Sequence, residues 1–331
     1  MRVPVTELPA RNTPALGWKS TMSTLNTPTI YKRNTADRIK KNVVSGKLSA
    51  VLILLPPALI LFSLFVILPL VDAAYYSGFS WNGYGAPSDF VGGQNYQRLL
   101  DHSVFHTALW NTAKLMLVSL IIQMPLALGL ALLVYRKTPT NTLFRLVFFL
   151  PYILAEVAAG LIWSFVFDGD YGITASILQS MGQESVYVLA DRQWAFPAIM
   201  TVIVWKYFGF HMMIYIAALQ SVPKDLIEAA KLEGAKPRQV AWFVQIPMIK
   251  HALVVSGFFA IIGSLQIFDI IIPMTNGGPS NTTHTIVTYL YTFGLSRLNI
   301  GFGSAAAVVL FVLAIGIAFF YKRSTGKEDQ A

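Results

Sequence analysis

Cysteine is absent from this chain of 331 residues, and charged residues are scarce. Without cysteine, the chain forms no disulfide, no thiolate metal site and no cysteine nucleophile. Only 12% of the residues are charged, whereas soluble domains carry roughly 25%. Because 55% of the residues are hydrophobic and the mean hydropathy is +0.56, the composition excludes an ordinary soluble protein and indicates lipid as the solvent. The net charge of +9 does not require a nucleic-acid partner, because basic loops also orient membrane proteins.

Six long apolar runs predict an all-α membrane protein, because a helix needs about 20 apolar residues to cross a bilayer. The predicted spans are residues 48–71, 115–135, 146–167, 194–219, 252–274 and 301–321. Together they define a predicted membrane domain over residues 48–321, followed by a short tail at 322–331. Residues 1–47 are rich in Thr, Pro, Asn, Lys and Arg, and their composition predicts a mostly mobile basic segment.

The positions of the basic residues predict the orientation of the spans. Of the 25 lysines and arginines, 20 lie before the first span, after the last, or in the loops 136–145 and 220–250. Only four lie in the loops that would face the other side. Since basic residues accumulate in cytoplasmic loops, both termini are predicted to be cytoplasmic.

The predicted cytoplasmic loop 220–250 has the pattern of two helices joined by a turn. Acidic side chains, at Asp225 and Glu228, come early in the first helix, where they complement the positive helix end. Pro223 suits the first turn of this helix, where its missing N–H costs nothing. Gly234 supplies a residue that can end the helix, and Pro237 can begin the second. The periodicity fits either a docking element for another protein or a helical hairpin on the membrane surface.

Two sets of motifs indicate a family. The run Glu228-Ala229-Ala230, then Gly234, then Val244-Gln245-Ile246-Pro247 resembles the EAA loop of permease subunits of binding-protein-dependent ABC importers. Phe268-Asp269, Thr275-Asn276-Gly277-Gly278-Pro279 and Gly303-Ser304-Ala305-Ala306 are similar to the carbohydrate-uptake branch, which includes maltose-type and glycerol-phosphate-type permeases. The resemblance covers about residues 48–321. It implies a type I importer permease fold in a bacterial inner membrane, with six spans.

The resemblance also implies the partners. The first helix of the loop would dock onto a separate ATPase, with coupling residues Glu228, Ala229, Ala230, Gly234 and Pro247. The assembly would comprise a second permease, an ATPase dimer, a periplasmic solute-binding protein and membrane lipid. The chain itself has no G-x-x-x-x-G-K-[ST] phosphate loop, so ATP hydrolysis is expected from the partner. No catalytic residue, cofactor or metal site is predicted for this chain.

Three ionisable side chains fall inside predicted spans, and such residues by default face the bundle interior or water. They are Glu156, Lys206 and Asp269. Asp269 is also well placed for a pairing role at the outer end of its span. Glu156 and Lys206 could form a buried structural pair, line the solute pathway, or do both.

The maltose-type resemblance implies a wider set of pathway residues. They are Glu156, Lys206, Tyr207, Phe210, Ala260, Gly263, Ser264 and Ile267. Lys206, Glu156, Ser264 and Ile267 depart from the maltose-type pattern, which predicts a solute other than maltose. A lysine in the cavity would favour an anionic or strongly polar glycoside. The turn Asn276, Gly277, Gly278 and Pro279 is expected at the external gate or against the binding protein.

The predicted function is therefore a multi-pass permease of an ATP-driven importer for a sugar, glycoside or related polar solute. The main alternative is an ion-coupled secondary transporter that uses Glu156, Lys206 and Asp269 as a relay. The organised loop 220–250 and the lack of a recognisable inverted repeat count against that alternative.

Overall fold

The structure is a computed structural model that describes residues 47–325, with side chains from Ala50 onward. Most of the predicted basic segment 1–47, and the end of the predicted tail, lie outside the described residues. The described chain is helical apart from loops and one isolated bridge between Phe79 and Phe90. The all-α fold class is confirmed.

The connections between the helices differ in length, and residues 77–93 and 181–194 form the longer ones. In chain order the helices are α1 (Lys47–Phe62), α2 (Leu68–Tyr76), α3 (Gln94–Leu100), α4 (Ser103–Val118), α5 (Met124–Val134), α6 (Pro139–Ile153), α7 (Glu156–Val166), α8 (Ile173–Ser180), α9 (Ala195–Ser221), α10 (Lys224–Leu232), α11 (Pro237–Val240), α12 (Ile246–Met248), α13 (Lys250–Gln266), α14 (Ile271–Thr275), α15 (Ile286–Tyr289) and α16 (Ile300–Thr325).

By length and composition, four helices within the described residues could each cross a membrane. These spans are Ala50–Tyr76, Ser103–Val134, Ala195–Ser221 and Ile300–Thr325. Two further pairs qualify only as bent spans: α6 with α7, bent by 97°, and Pro237–Met248 with α13, bent by 71°. Counting each bent pair as one span gives six, in the same order along the chain as the six predicted spans.

Two predicted spans are not continuous rods. The predicted span 146–167 is interrupted at Leu154 and Ala155, whose backbones are extended with ψ of 143° and 140°. The predicted span 252–274 is interrupted after Gln266, and helix resumes only at Ile271. Hydropathy detects apolar length but not these breaks, because the broken segments remain apolar. The last helix also runs four residues into the predicted tail 322–331.

Proline explains three π-helical turns within or beside the spans. Each π turn ends two residues before a proline: Ser63–Ile67 before Pro69, Ser119–Gln123 before Pro125, and Ala241–Gln245 before Pro247. A proline has no N–H to donate to the carbonyl four residues earlier, so the helix widens there. These turns change which side chains face inward, and one of them lies at the cavity described below.

Two of the three hydrophobic clusters within residues 63–325 include side chains of α9; α1 belongs to a separate contact unit. One face of α9 buries Met212, Tyr215 and Leu219 against Ala127 and Ala131 of α5. Another part of α9 packs against α6 so closely that a Cβ atom at Gly209 would lie 2.2 Å from the Phe148 carbonyl oxygen. Because of this tight contact, the side chains of α9 on either side of Gly209 lie close to the break between α6 and α7.

Candidate functional site

A cavity of about 620 Å³ lies between α9, α13, the α6–α7 break and the π turn at Ser119–Gln123. Its volume falls in the range of about 300–1,000 Å³ that is typical of small-molecule sites. Sixteen residues line it: Ser119, Gln123, Tyr152, Glu156, Ile203, Tyr207, Phe210, His211, Phe259, Ala260, Ile262, Gly263, Ser264, Gln266, Ile267 and Asp269. Seven of the eight residues expected in the pathway are among them; Lys206 is the exception.

One wall of the cavity is aromatic. Tyr152 stacks on Phe210 at 4.9 Å between ring centroids, and Phe259 meets Phe210 edge to face at 5.8 Å. Tyr207 completes the wall at 6.2 Å from Tyr152. Such rings present large apolar faces at a site that otherwise contains polar groups.

Glu156 brings a carboxylate to the edge of this aromatic wall. It is the first residue of α7, immediately after the break, where the positive end of the helix favours a negative side chain. The Tyr207 hydroxyl donates to Glu156 Oε1 at 2.5 Å. The cavity thus holds an oriented carboxylate beside aromatic faces, with a second carboxylate from Asp269 on its lining.

Lys206 lies in the wall behind the cavity surface and is 1% exposed. Its ammonium donates to the carbonyl oxygens of Pro151, Tyr152 and Leu154 at 3.1, 3.2 and 2.6 Å. These carbonyls lie at the end of α6, where the helix break leaves them without helical N–H donors. Lys206 therefore supplies hydrogen-bond donors to the carbonyl oxygens at the break. It also holds in place the backbone from which Glu156 projects.

Glu156 and Lys206 were expected to form a buried pair, to line the solute pathway, or to do both, and the structure gives them different surroundings. Within residues 47–325, no ion pair joins them: Glu156 accepts from Tyr207, while Lys206 is occupied by backbone carbonyls. Since the ammonium does not line the cavity, the argument from Lys206 toward an anionic solute loses its basis. Sequence reasoning identified the buried charge but not its partner, because the break between α6 and α7 leaves no signal in hydropathy.

The cavity lining also carries a group of amide, hydroxyl and imidazole side chains. Ser264 donates to Ser119 at 3.3 Å, and His211 Nδ1 lies 2.6 Å from the Ser256 hydroxyl. Gln123 completes this group and is 2% exposed. Sequence reasoning missed this group as a site, although Gln123 is conspicuous as the one strongly polar residue of its apolar run.

The turn Asn276–Pro279 lies outside the cavity lining. Asn276 adopts a left-handed backbone with φ of 48°. Thr283 donates to the Gly278 carbonyl at 2.6 Å. Asn111 of α4 donates to the carbonyls of residues 282 and 284 at 2.7 and 3.0 Å. The segment directly after the turn is therefore tied to α4 by a buried amide.

The loop 220–250 contains the two predicted helical segments. Its first helix is α10, which ends in a Schellman motif: Gly234 N–H donates to the Lys231 carbonyl at 3.0 Å, and Ala235 N–H to that of Ala230 at 3.0 Å. Gly234 has φ of +82°, a conformation that favours glycine. The second segment begins at Pro237, as predicted. Pro223 precedes α10 as its N-cap and does not occupy the first turn, where it was expected.

Comparisons with known proteins agree with this architecture. The family model for the binding-protein-dependent transport system inner membrane component matches residues 123–324. The chain is 36% identical to the sulfoquinovosyl glycerol transport system permease protein SmoG of Agrobacterium fabrum, over 86% of this chain and 93% of that protein. It is 30% identical to the sn-glycerol-3-phosphate transport system permease protein UgpA of the same organism, over 83% and 94%.

A solved structure shows the same fold. A chain in the crystal structure of a bacterial ABC transporter involved in the import of the acidic polysaccharide alginate superposes with a TM-score of 0.77. The match covers 88% of this chain and 99% of that chain at 23% sequence identity. At this identity the likeness concerns the fold.

The chain belongs to the family of inner membrane components of binding-protein-dependent transport systems. It is a multi-pass permease subunit of an ABC importer, works with a periplasmic binding protein, and leaves ATP hydrolysis to a separate chain. The predicted family is confirmed, and membership favours the ATP-driven importer over the ion-coupled alternative.

Proposed function

We propose that this subunit imports a sugar, glycoside or related polar solute from the periplasm to the cytoplasm through the 620 Å³ cavity. The observation that carries the proposal is the aromatic wall of Tyr152, Tyr207, Phe210 and Phe259 beside the oriented Glu156 carboxylate. The similarity to permeases for sulfoquinovosyl glycerol and glycerol phosphate supports a solute of this type.

The two kinds of surface match the two faces of a sugar. The C–H face of a sugar ring is apolar and can stack on an aromatic ring, while its hydroxyls need hydrogen-bond partners at the edge. Phe210 would supply the stacking face, and Glu156 and Ser264 would contact hydroxyls. Ala260 and Gly263 add little bulk to their wall of the cavity, which leaves room for the solute.

A reconstituted assembly tests this proposal. The permease pair, its ATPase and its binding protein are placed in proteoliposomes, and uptake of sulfoquinovosyl glycerol, sn-glycerol 3-phosphate, maltose and diacetylchitobiose is measured. Phe210→Ala is expected to reduce uptake of the transported solute at least tenfold. Phe165→Ala is the matched control, because Phe165 is 74% exposed and lies outside the cavity lining. Equal uptake by both variants would contradict the assignment of the cavity.

The exposed surface of α10 supports docking onto an ATPase subunit. Glu228 and Ala229 are exposed, and beside them Leu226 is 45% and Leu232 is 90% exposed. Exposed apolar side chains together with a small residue and a charge suit a partner surface that approaches closely. We assign the coupling role to Glu228, Ala229 and Ala230 of α10, to Gly234 just after it and to Pro247 of α12. The assembly would also contain the ATPase dimer and the second permease.

Gly234 provides the test of coupling. Gly234→Val places a β-branched residue where φ is +82°, which strains the Schellman motif and misdirects α10. Uptake is expected to fall strongly while ATP hydrolysis continues without solute movement. Gly182→Val is a matched control, because Gly182 also has positive φ, +73°, but lies far along the chain from the loop. A Gly234→Val assembly with wild-type uptake per ATP would contradict the docking role.

The remaining sites follow from the orientation. With the loop 220–250 facing the cytoplasm, the turn at Asn276, Gly277, Gly278 and Pro279 would lie toward the periplasm. There it would form the external gate or contact the binding protein. Cross-linking from a cysteine placed at Asn276 to the binding protein is expected in the assembly. Cross-links to the ATPase instead would reverse the orientation.

A further inference from the structure

Gln123 has a buried hydrogen-bond acceptor that the protein does not use. The side chain is 2% exposed, yet it lines the cavity. Its Oε1 atom has no hydrogen-bond partner among the described residues. A buried amide oxygen without a partner costs about 1–3 kcal/mol, so such an atom is expected to have a function or a ligand.

The local backbone explains how this amide reaches the cavity. Gln123 is the last residue of the π turn Ser119–Gln123, which precedes Pro125. A π turn rotates the following side chains relative to an α-helix, and such turns occur often at functional sites. Ala127, one turn later on the same helix, is 0% exposed and packs in the core. After the π turn, the helix therefore places Gln123 on the cavity lining and Ala127, four residues later, in the core.

The neighbouring groups define what could bind there. Ser119 lies on the same π turn and accepts a hydrogen bond from Ser264 at 3.3 Å. Both serines and Gln123 line the cavity, and His211 lies on the same lining. No lysine or arginine lines this or any other part of the cavity, within the residues described. A carbonyl oxygen accepts only from a donor, so the complementary ligand group is an O–H or N–H.

We propose that Gln123 is a specificity-determining residue that accepts a hydrogen bond from one hydroxyl of the transported solute. The inference rests on the proposed function and assigns a polar contact in addition to that of Glu156. The solute would lie with its ring faces on the aromatic wall, one hydroxyl near Glu156 and another on Gln123. Sites that read a hydroxyl in this way discriminate strongly against an analogue that lacks it.

Accessibility of the position is tested without knowledge of the solute. Because the chain has no cysteine, Gln123→Cys introduces a single thiol into this subunit. A small hydrophilic methanethiosulfonate is added to the purified assembly, and the mass of this subunit is measured. Position 123 is expected to be labelled, and Ala127→Cys is expected to remain unlabelled because that position is in the core. An unlabelled position 123 overturns the proposal.

Binding is tested by transport of matched sugars. Uptake of the solute that the wild-type assembly imports is compared with uptake of its monodeoxy derivatives. In the wild type, one derivative is expected to be imported about five- to tenfold more slowly than the parent, the effect of one hydrogen bond. In Gln123→Met, which keeps the length but lacks the acceptor, the parent and that derivative are expected to be imported equally. Gln123→Glu keeps an acceptor oxygen and should restore the discrimination.

The outcomes separate this inference from the proposed function. If the wild-type assembly imports none of the sugars tested, the proposed function fails, while labelling still decides whether Gln123 faces the cavity. If the wild type imports a sugar but Gln123→Met discriminates among the derivatives as the wild type does, only the Gln123 contact is refuted. The control variant Gln97→Met, on the external helix α3, is expected to retain wild-type discrimination.

Discussion

Replacement of Lys206 by methionine tests whether this buried charge stabilises the backbone or takes part in recognition of the solute. Lys206→Met keeps the length of the side chain but removes the ammonium that donates to three carbonyl oxygens. In the folded state, the carbonyls at the end of α6 then lose their donor, and the backbone that positions Glu156 loses this support.

The size of the effect follows from these contacts. Hydrogen bonds to a charged group contribute about 1.5–3 kcal/mol each, but burying the ammonium offsets part of the sum. Each buried carbonyl left without a donor costs about 1–3 kcal/mol, and the relief from no longer burying an ammonium brings the net loss for the three carbonyls to roughly 3–5 kcal/mol. We expect a loss of about this size. The shift is about 2–4 °C per kcal/mol for domains of 150–250 residues and decreases with chain length, so at roughly 2 °C per kcal/mol the thermal midpoint of this longer chain should fall by about 6–10 °C.

The assay follows tryptophan fluorescence of the purified assembly during heating, and uptake at a temperature where both proteins are folded. Lys137→Met is the matched control, because Lys137 is exposed in the connection between α5 and α6. The control is expected to shift the midpoint by no more than about 1 °C. Any loss of uptake in Lys206→Met should accompany the loss of stability and should affect neutral and anionic solutes equally.

A selective effect on anionic solutes would contradict the structural role of Lys206. If Lys206→Met kept the wild-type midpoint but lost uptake of anionic solutes selectively, the ammonium would be reading a solute charge. The hydrogen bonds to the three carbonyls would then contribute little to stability, and the sequence-based preference for an anionic glycoside would be reinstated.

Further predictions concern three positions around the site. Gly209→Ala should destabilise the assembly, because its Cβ would lie 2.2 Å from a backbone oxygen of α6; Gly129→Ala, with no atom within 4 Å, should be neutral or stabilise by up to about 1 kcal/mol. Asn111→Leu leaves two buried carbonyls without a donor and should speed hydrogen exchange of the segment directly after the glycine-rich turn; unchanged exchange would contradict the tether. Burial and the nearby Arg297 lower the pKa of His102, so the unfolded chain takes up the proton first as the pH falls below about 6.5. As the pH is lowered, the thermal midpoint of the wild type should therefore fall more steeply than that of His102→Asn. Parallel plots of midpoint against pH for the two proteins would contradict this.

The loop 220–250 was largely predictable from the sequence. Its signals are local: an acidic first turn, a glycine that can take positive φ, and a proline that can begin the next helix. Such signals act within a few residues, so the positions of Gly234 and Pro237 could be assigned without knowledge of the fold. Only the role of Pro223 differed, because it lies one residue outside the helix it was expected to begin.

The cavity was predictable only in part. The face of Ala260, Gly263, Ser264 and Ile267 could be proposed because helical spacing and family resemblance agree, and all four line the cavity. The contribution of Gln123 could not, because its direction depends on how the π turn before Pro125 rotates the helix within the bundle.

Composition and spacing along single helices were enough to predict a membrane protein with six apolar segments, an ordered basic loop and a small number of charges inside the spans. The role of each internal charge could not be predicted in this way, because it depends on contacts between helices. Lys206 and Glu156 are 50 residues apart in sequence, and their partners depend on where α6 breaks and on how closely α9 approaches it. A buried charge needs a hydrogen-bond partner, and packing between helices determines which partner lies within reach.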